Sequence, residues 1–89
     1  MANAIVVRIW LQEHGQDKGA PAIERYFDDL TNASAYAARE KRKLKRQGYR
    51  DDYEKMRRPH PKCLLYLVMY AELDKALPDV ILTIEDAAP

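Results

Sequence analysis

Cys63-Leu64-Leu65-Tyr66-Leu67-Val68-Met69-Tyr70-Ala71 is the stretch on which the fold turns. Nine apolar or aromatic residues in a row suit a buried helix or a buried strand, and periodicity alone does not separate the two. Pro61 precedes the segment and Pro78 follows it, so the segment extends from Lys62 to Leu77. Across it Leu64, Leu67, Val68, Ala71 and Leu73 line a wide apolar face, with Glu72, Asp74 and Lys75 late in the segment. That length is long for a strand, so the expectation is a helix over 62–77. A strand over Leu64–Tyr70 is the alternative, and it would enlarge the sheet to three strands.

On the C-terminal side, Asp79 to Glu85 contains Val80-Ile81-Leu82-Thr83-Ile84, a β-branched run that reads as a strand. At the other end of the chain, Ile5 to Leu11 (Ile-Val-Val-Arg-Ile-Trp-Leu) reads the same way. Gln12 to Ala20, with Gly15 and Gly19, reads as a loop. Pro21 suits the first turn of a helix, where its missing N–H is no loss. Ile23, Tyr26, Phe27 and Leu30 then fall at i, i+3, i+4 and i+7, one face of a helix. This helix runs from Pro21 to about Gln47, or breaks near Thr31-Asn32 and restarts, and Gly48 is its stop. A short helix follows from Asp51-Asp52 to about Arg58, ended by Pro59-His60-Pro61. The expected fold is a single, mostly helical α+β domain. Its order is strand, helix, short helix, helix, strand, with a minimal two-stranded sheet made by the first and last elements.

The chain has 89 residues, enough for one domain with a thin core. Association into a homodimer would bury more surface, and a lone strand pair invites extension by a partner's strand. Cys63 is the only cysteine, so no internal disulfide forms. The apolar runs are too short for a signal peptide or a membrane span. A cytoplasmic protein with no membrane contact is therefore expected.

Net charge is +1, but it is unevenly spread. Arg39 to Lys62 holds eleven Lys/Arg and four Asp/Glu, a net of +7, and the remainder carries −6. Such segregation bears on partners and assembly. The basic stretch could contact phosphates, with Tyr49 and Tyr53 stacking on bases, or it could meet an acidic protein surface. Charged helix faces are commonly just solvated, and no helix-turn-helix or other nucleic-acid signature is present. The residues expected to carry macromolecule binding are Arg42, Lys45, Arg46, Tyr49, Arg50, Tyr53 and Arg57. A protein partner is the leading expectation and nucleic acid the alternative; a self-assembling subunit, pairing basic and acidic faces, is a third.

Chemistry-bearing motifs are missing. His60 and Cys63 are three apart, but two histidines and one cysteine do not supply the ligands zinc needs. Asp28-Asp29 point about 100° apart on a helix and have no third ligand at suitable spacing. No motif pairs Cys63 with a base, Ser34 has no nucleophile elbow, and the three glycines form no phosphate loop. Neither an enzyme nor a cofactor is expected. Cys63 reads as a small buried apolar residue. Trp10, Phe27 and Tyr66 read as core, and Tyr49, Tyr53 and Tyr70 as interface candidates.

Three short stretches carry a resemblance: Arg25-Tyr26-Phe27, Lys43-Leu44-Lys45-Arg46-Gln47-Gly48 and Leu73-Asp74-Lys75-Ala76-Leu77. Through them the span from about Pro21 to Asp86 resembles helical segments of the large polyvalent proteins carried by phages. In size the chain also resembles phage accessory proteins, including inhibitors of host defence of the anti-CRISPR type. The resemblance implies a non-enzymatic protein that binds a host macromolecule.

Overall fold

A computed structural model describes residues 4–87. Its elements are β1 (Ile5–Gln12), β2 (Ile23–Phe27), α1 (Leu30–Arg46), β3 (Tyr49–Asp51), a 3-10 turn (Tyr53–Lys55), β4 (Cys63–Ala71) and β5 (Asp79–Asp86). The five strands form one antiparallel sheet in the order β2-β1-β5-β4-β3. The expectation of a mostly helical α+β domain with a two-stranded sheet is overturned: strand exceeds helix, 39% against 24%.

The largest correction falls on 62–77. Cys63–Ala71 is a strand, paired with β5 on one side and β3 on the other. Both faces of this inner strand are covered over Leu67–Ala71, whereas Leu64 and Leu65 near its start are exposed. Leu67, Met69 and Ala71 are buried on one face and Val68 on the other. A strand buried on both faces loses the alternation that would distinguish it from a helix. Glu72 to Leu77, expected to finish the helix, lies with Pro78 in the β4–β5 connection.

The second correction falls on 21–30. Ile23–Phe27 is a strand antiparallel to β1, with Arg25 opposite Val7. Ile23 and Phe27 point towards the core, while Tyr26 and Leu30 are exposed. The helical spacing of these four residues was therefore coincidental. The helix begins at Leu30, where Asp29 is extended (φ −141°, ψ 164°) and its Oδ1 accepts the Asn32 N–H at 2.8 Å. That N-cap satisfies a donor that would otherwise be orphaned. Gly48 ends the helix with φ +95°, a conformation open to glycine and costly for other residues. The residues expected to form a short helix make only the single turn Tyr53–Lys55.

Helix α1 joins the two edge strands, so it must cross the sheet. Its 17 residues reach about 25 Å, and five strands are about 19 Å wide. It packs through Ala33 and Ala37, whose small side chains let it lie close to Val7, Ile9, Leu67, Met69, Val80, Leu82 and Ile84. The opposite face carries a smaller cluster of Trp10, Val68 and Ile81. Residues 52–62 lie across that face as a strap. Lys55 pairs with Asp79 at one end, Met56 covers the small cluster, and His60 meets Glu85 at the other end.

The close helix–sheet approach generates a prediction. Ala33→Leu forces four-carbon bulk into a site with no free surface and should cost about 1–3 kcal/mol in urea unfolding. Ala35→Leu, on the exposed side of the same helix, should change stability by less than about 0.5 kcal/mol.

Candidate interaction surface

Helical geometry sorts the basic residues of α1 into three stripes, because successive residues are about 100° apart. Ala33, Ala37 and Leu44 mark the inward direction. Arg39, Arg42 and Arg46 form the outer ridge opposite it, and all three are exposed. Lys43 lies on the flank towards β2. Lys41 and Lys45 lie on the flank towards β3.

The lysines on the flanks are engaged within the molecule. Lys43 pairs with Glu40 at 3.0 Å. Lys41 and Lys45 each approach Asp51 at 3.6 Å. The Asp51 side chain is only 7% exposed, and its Oδ2 also accepts the Tyr53 hydroxyl at 3.1 Å. Its Oδ1 makes no hydrogen bond and is compensated by the charge of the Lys41 ammonium, while Lys45 faces Oδ2. Arg39, Arg42 and Arg46 have no carboxylate within ion-pair distance among the described residues.

The other expected binding residues are dispersed. Arg50 is exposed on β3 and pairs with Glu72 at 2.9 Å. Tyr53 is 78% exposed. Lys45, Arg50, Tyr53 and Tyr70 border one shallow depression at the β3 edge. Arg57 is exposed on the strap, near Arg58 and Lys62 in sequence and without an ion pair among the described residues. Tyr49 is not at the surface. Its ring lies in the core, and its hydroxyl donates to the Pro78 carbonyl at 3.0 Å. The sequence suggests an interface anchor at this position; its place on β3 turns the side chain inward.

A feature the sequence reading missed is a groove of about 610 Å³ between β2 and the first half of α1. Phe27 and Tyr36 form its floor, with ring centroids 5.5 Å apart. The Arg25 guanidinium lies 4.9 Å from the Tyr36 ring, and Arg39 borders the same groove. The signal was present in the alternation of Ile23, Arg25 and Phe27 against Glu24 and Tyr26, but the helical spacing obscured it.

The strap side holds a second polar cluster. Arg8 donates to Glu24 at 2.6 Å and to Glu85 at 2.9 Å. His60 Nε2 lies 3.0 Å from the other Glu85 oxygen, and the Thr83 hydroxyl donates to Glu85 at 3.3 Å. The hydrogen bond to Glu24, above all, holds the Arg8 guanidinium in its charged form. This network pins the strap to β5 and β1. Cys63 is fully buried, and burial pushes its thiol up from the usual range; Sγ–H donates to the Leu65 carbonyl at 3.2 Å. That environment suppresses thiolate chemistry. Among the described residues no three His, Cys, Asp or Glu side chains are placed to hold a metal ion. No helix among them is long and apolar enough to cross a membrane.

Burial, then the charges of Asp79 and Asp74, push the Tyr49 phenol above its usual value. An unfolded tyrosine ionises at about 10. The stabilisation is complete below that pH and is lost as pH rises through the higher folded value. Tyr49→Phe should therefore cost about 1 kcal/mol at neutral pH through the lost hydrogen bond, and should flatten the alkaline decline seen in urea titrations. Asp51→Asn should release Lys41 and Lys45 to solvent, and the variant should elute from heparin at higher salt than the parent protein.

Comparison with protein-family models, curated proteins and solved structures finds no match to this chain.

Proposed function

We propose that this protein is a non-enzymatic binding protein that presents the outer ridge of α1 to an acidic surface on a partner protein. One observation carries the reading: Arg39, Arg42 and Arg46 are exposed and have no ion-pair partner among the described residues, whereas the neighbouring Lys41, Lys43 and Lys45 are all engaged by the molecule's own carboxylates. A guanidinium offers a planar fork of donors that matches a carboxylate in two parallel hydrogen bonds. The unspent cations are thus the residue type suited to specific carboxylate contacts.

The distribution of charge favours protein over nucleic acid. The ridge is three cations long, and Asp28, Asp29 and Glu40 flank it. Arg57, Arg58 and Lys62 belong to the strap, on the other side of the sheet. A single continuous track of cations, as a phosphate backbone needs, is not formed by these two groups. Of the expected binding set, Arg42 and Arg46 belong to the ridge. Lys45, Arg50 and Tyr53 border the nearby β3 edge and Tyr49 supports it from within. Arg57 is assigned to the strap.

The phage resemblance enters on the same footing. Of its three stretches, Arg25-Tyr26-Phe27 is on β2 and Leu73–Leu77 is in the β4–β5 connection; only the part from Lys43 to Arg46 is helical. A small cytoplasmic accessory protein that occludes a host protein would need just such a compact scaffold with one committed surface. The size and the unpaired ridge support that assignment.

The test is charge reversal. The immobilised protein should retain an acidic protein from a nuclease-treated bacterial extract, and R39E/R42E/R46E should lose it while keeping the parent's unfolding midpoint. Light scattering after size exclusion supplies the opposing outcomes. Co-migration with a mixed-sequence oligonucleotide at low salt, lost at high salt, would replace this reading with nucleic-acid binding. A mass that grows with protein concentration, and no partner, would replace it with self-assembly.

A further inference from the structure

We infer that the partner attaches by strand addition: an extended acidic segment pairs with the free edge of β2 and places a carboxylate between Arg25 and Arg39. This rests on the binding-protein reading and supplies its mode of attachment.

The backbone pattern identifies which groups are free. β2 is an outer strand of the sheet. The Ala87 N–H donates to the Ala4 carbonyl, and Ala4 and Ala87 extend the β1–β5 register by one pair. Even-numbered residues of β1 therefore direct their amides at β5, and odd-numbered ones direct theirs at β2. Through the β1–β2 register, Ile23, Arg25 and Phe27 are bonded inward, and Glu24 and Tyr26 point their N–H and C=O groups outward. No described residue bonds to those outward groups. β2 contains no proline, so the edge can accept a strand.

The side chains specify what that strand carries. A segment antiparallel to β2 would bond to Glu24 and Tyr26, and the residue between them would sit opposite Arg25. Side chains on opposed residues share a face, with Cα atoms about 4.5 Å apart in such a non-hydrogen-bonded pair. On this face lies the groove, where the Arg25 guanidinium lies 4.9 Å from the Tyr36 ring and Arg39 borders the same space. A ring contact of this kind satisfies no carboxylate, and the guanidinium carries five N–H donors, so donors remain for an acceptor. Neither arginine has a carboxylate partner among the described residues, whereas Lys43 and Glu40 in the same groove satisfy each other. An aspartate or glutamate at the opposed position meets both. A second copy is a poorer occupant, because symmetric pairing centred on Arg25 would set two arginines directly opposite each other.

The test uses a short synthetic peptide of alternating valine and threonine around a central glutamate, titrated into the isotopically labelled protein. Amide shifts should concentrate on 23–28 and along the groove side of α1. A central lysine should weaken binding about tenfold or more, the scale of a lost charge-assisted hydrogen bond. Tyr26→Pro removes an outward donor at a position where an edge strand tolerates proline, and should abolish binding, while Tyr26→Ala should keep it. N-methylation of the peptide amides that face β2 should abolish binding without touching the protein, and methylation of the alternate amides should not. The inference is overturned by equal affinity for the lysine peptide, by binding that survives β2-facing methylation, or by shifts absent from 23–28. Shifts confined to Arg42 and Arg46 would also overturn it, yet leave the ridge reading intact. Failure of the ridge reading itself is seen separately, as extract capture that R39E/R42E/R46E does not impair.

Discussion

β5 is held on both edges and covered on both faces, and the remaining elements are arranged around that burial. Its residues from Asp79 to Ile84 are buried in succession. β1 pairs with it over eight residues, and β4 pairs with it on the other side. With its ladder bonds shared between two neighbours, this strand can sit in the interior without orphaned backbone groups. Its alternating side chains then create two apolar surfaces, and each needs a cover. Helix α1 serves one. The strap at 52–62, with Lys18 lying 4.1 Å from the Trp10 ring, serves the other.

The first and last strands in chain order, β1 and β5, were legible in sequence, and the strands between them were not. Ile5–Leu11 and Val80–Ile84 are β-branched runs bounded by turn residues, and both are strands. Cys63–Ala71 is rich in leucine, methionine and tyrosine, residues that serve either structure, and its burial on both faces removed the alternation. Ile23–Phe27 failed for a different reason: an outer strand has one covered side, and its few inward residues fell by chance on helical spacing. The basic stretch was visible as composition, but composition does not say which cations are already spent. That depended on Asp51, whose buried position follows from β3, a strand too short to read. Tyr49 was misplaced for the same reason.

The result is a division of labour between the two basic residue types. Lysines flank the helix and close the molecule's own charge balance, where a flexible ammonium can reach a carboxylate several ångströms away. Arginines occupy the ridge, where a rigid fork loses less freedom per hydrogen bond formed. Exposed ion pairs contribute only about 0–1 kcal/mol each. The lysine pairs therefore bear more on which positive charge remains available than on stability.

The pairing of β1 with β5 also sets an order of events. Arg8 and Glu85 meet although 77 residues separate them. The β1–β2 and β4–β5 hairpins close over shorter loops, so they can form before the joint between them. At a synthesis rate of about 5–20 residues per second, β1 waits on the order of 4–15 s for its central neighbour to emerge. During that interval Val6, Trp10 and the edge that will face β5 are uncovered. The seam that makes the finished sheet continuous is, in the nascent chain, an uncovered strand edge, and the charged Arg8 at the middle of β1 is placed to discourage a wrong neighbour.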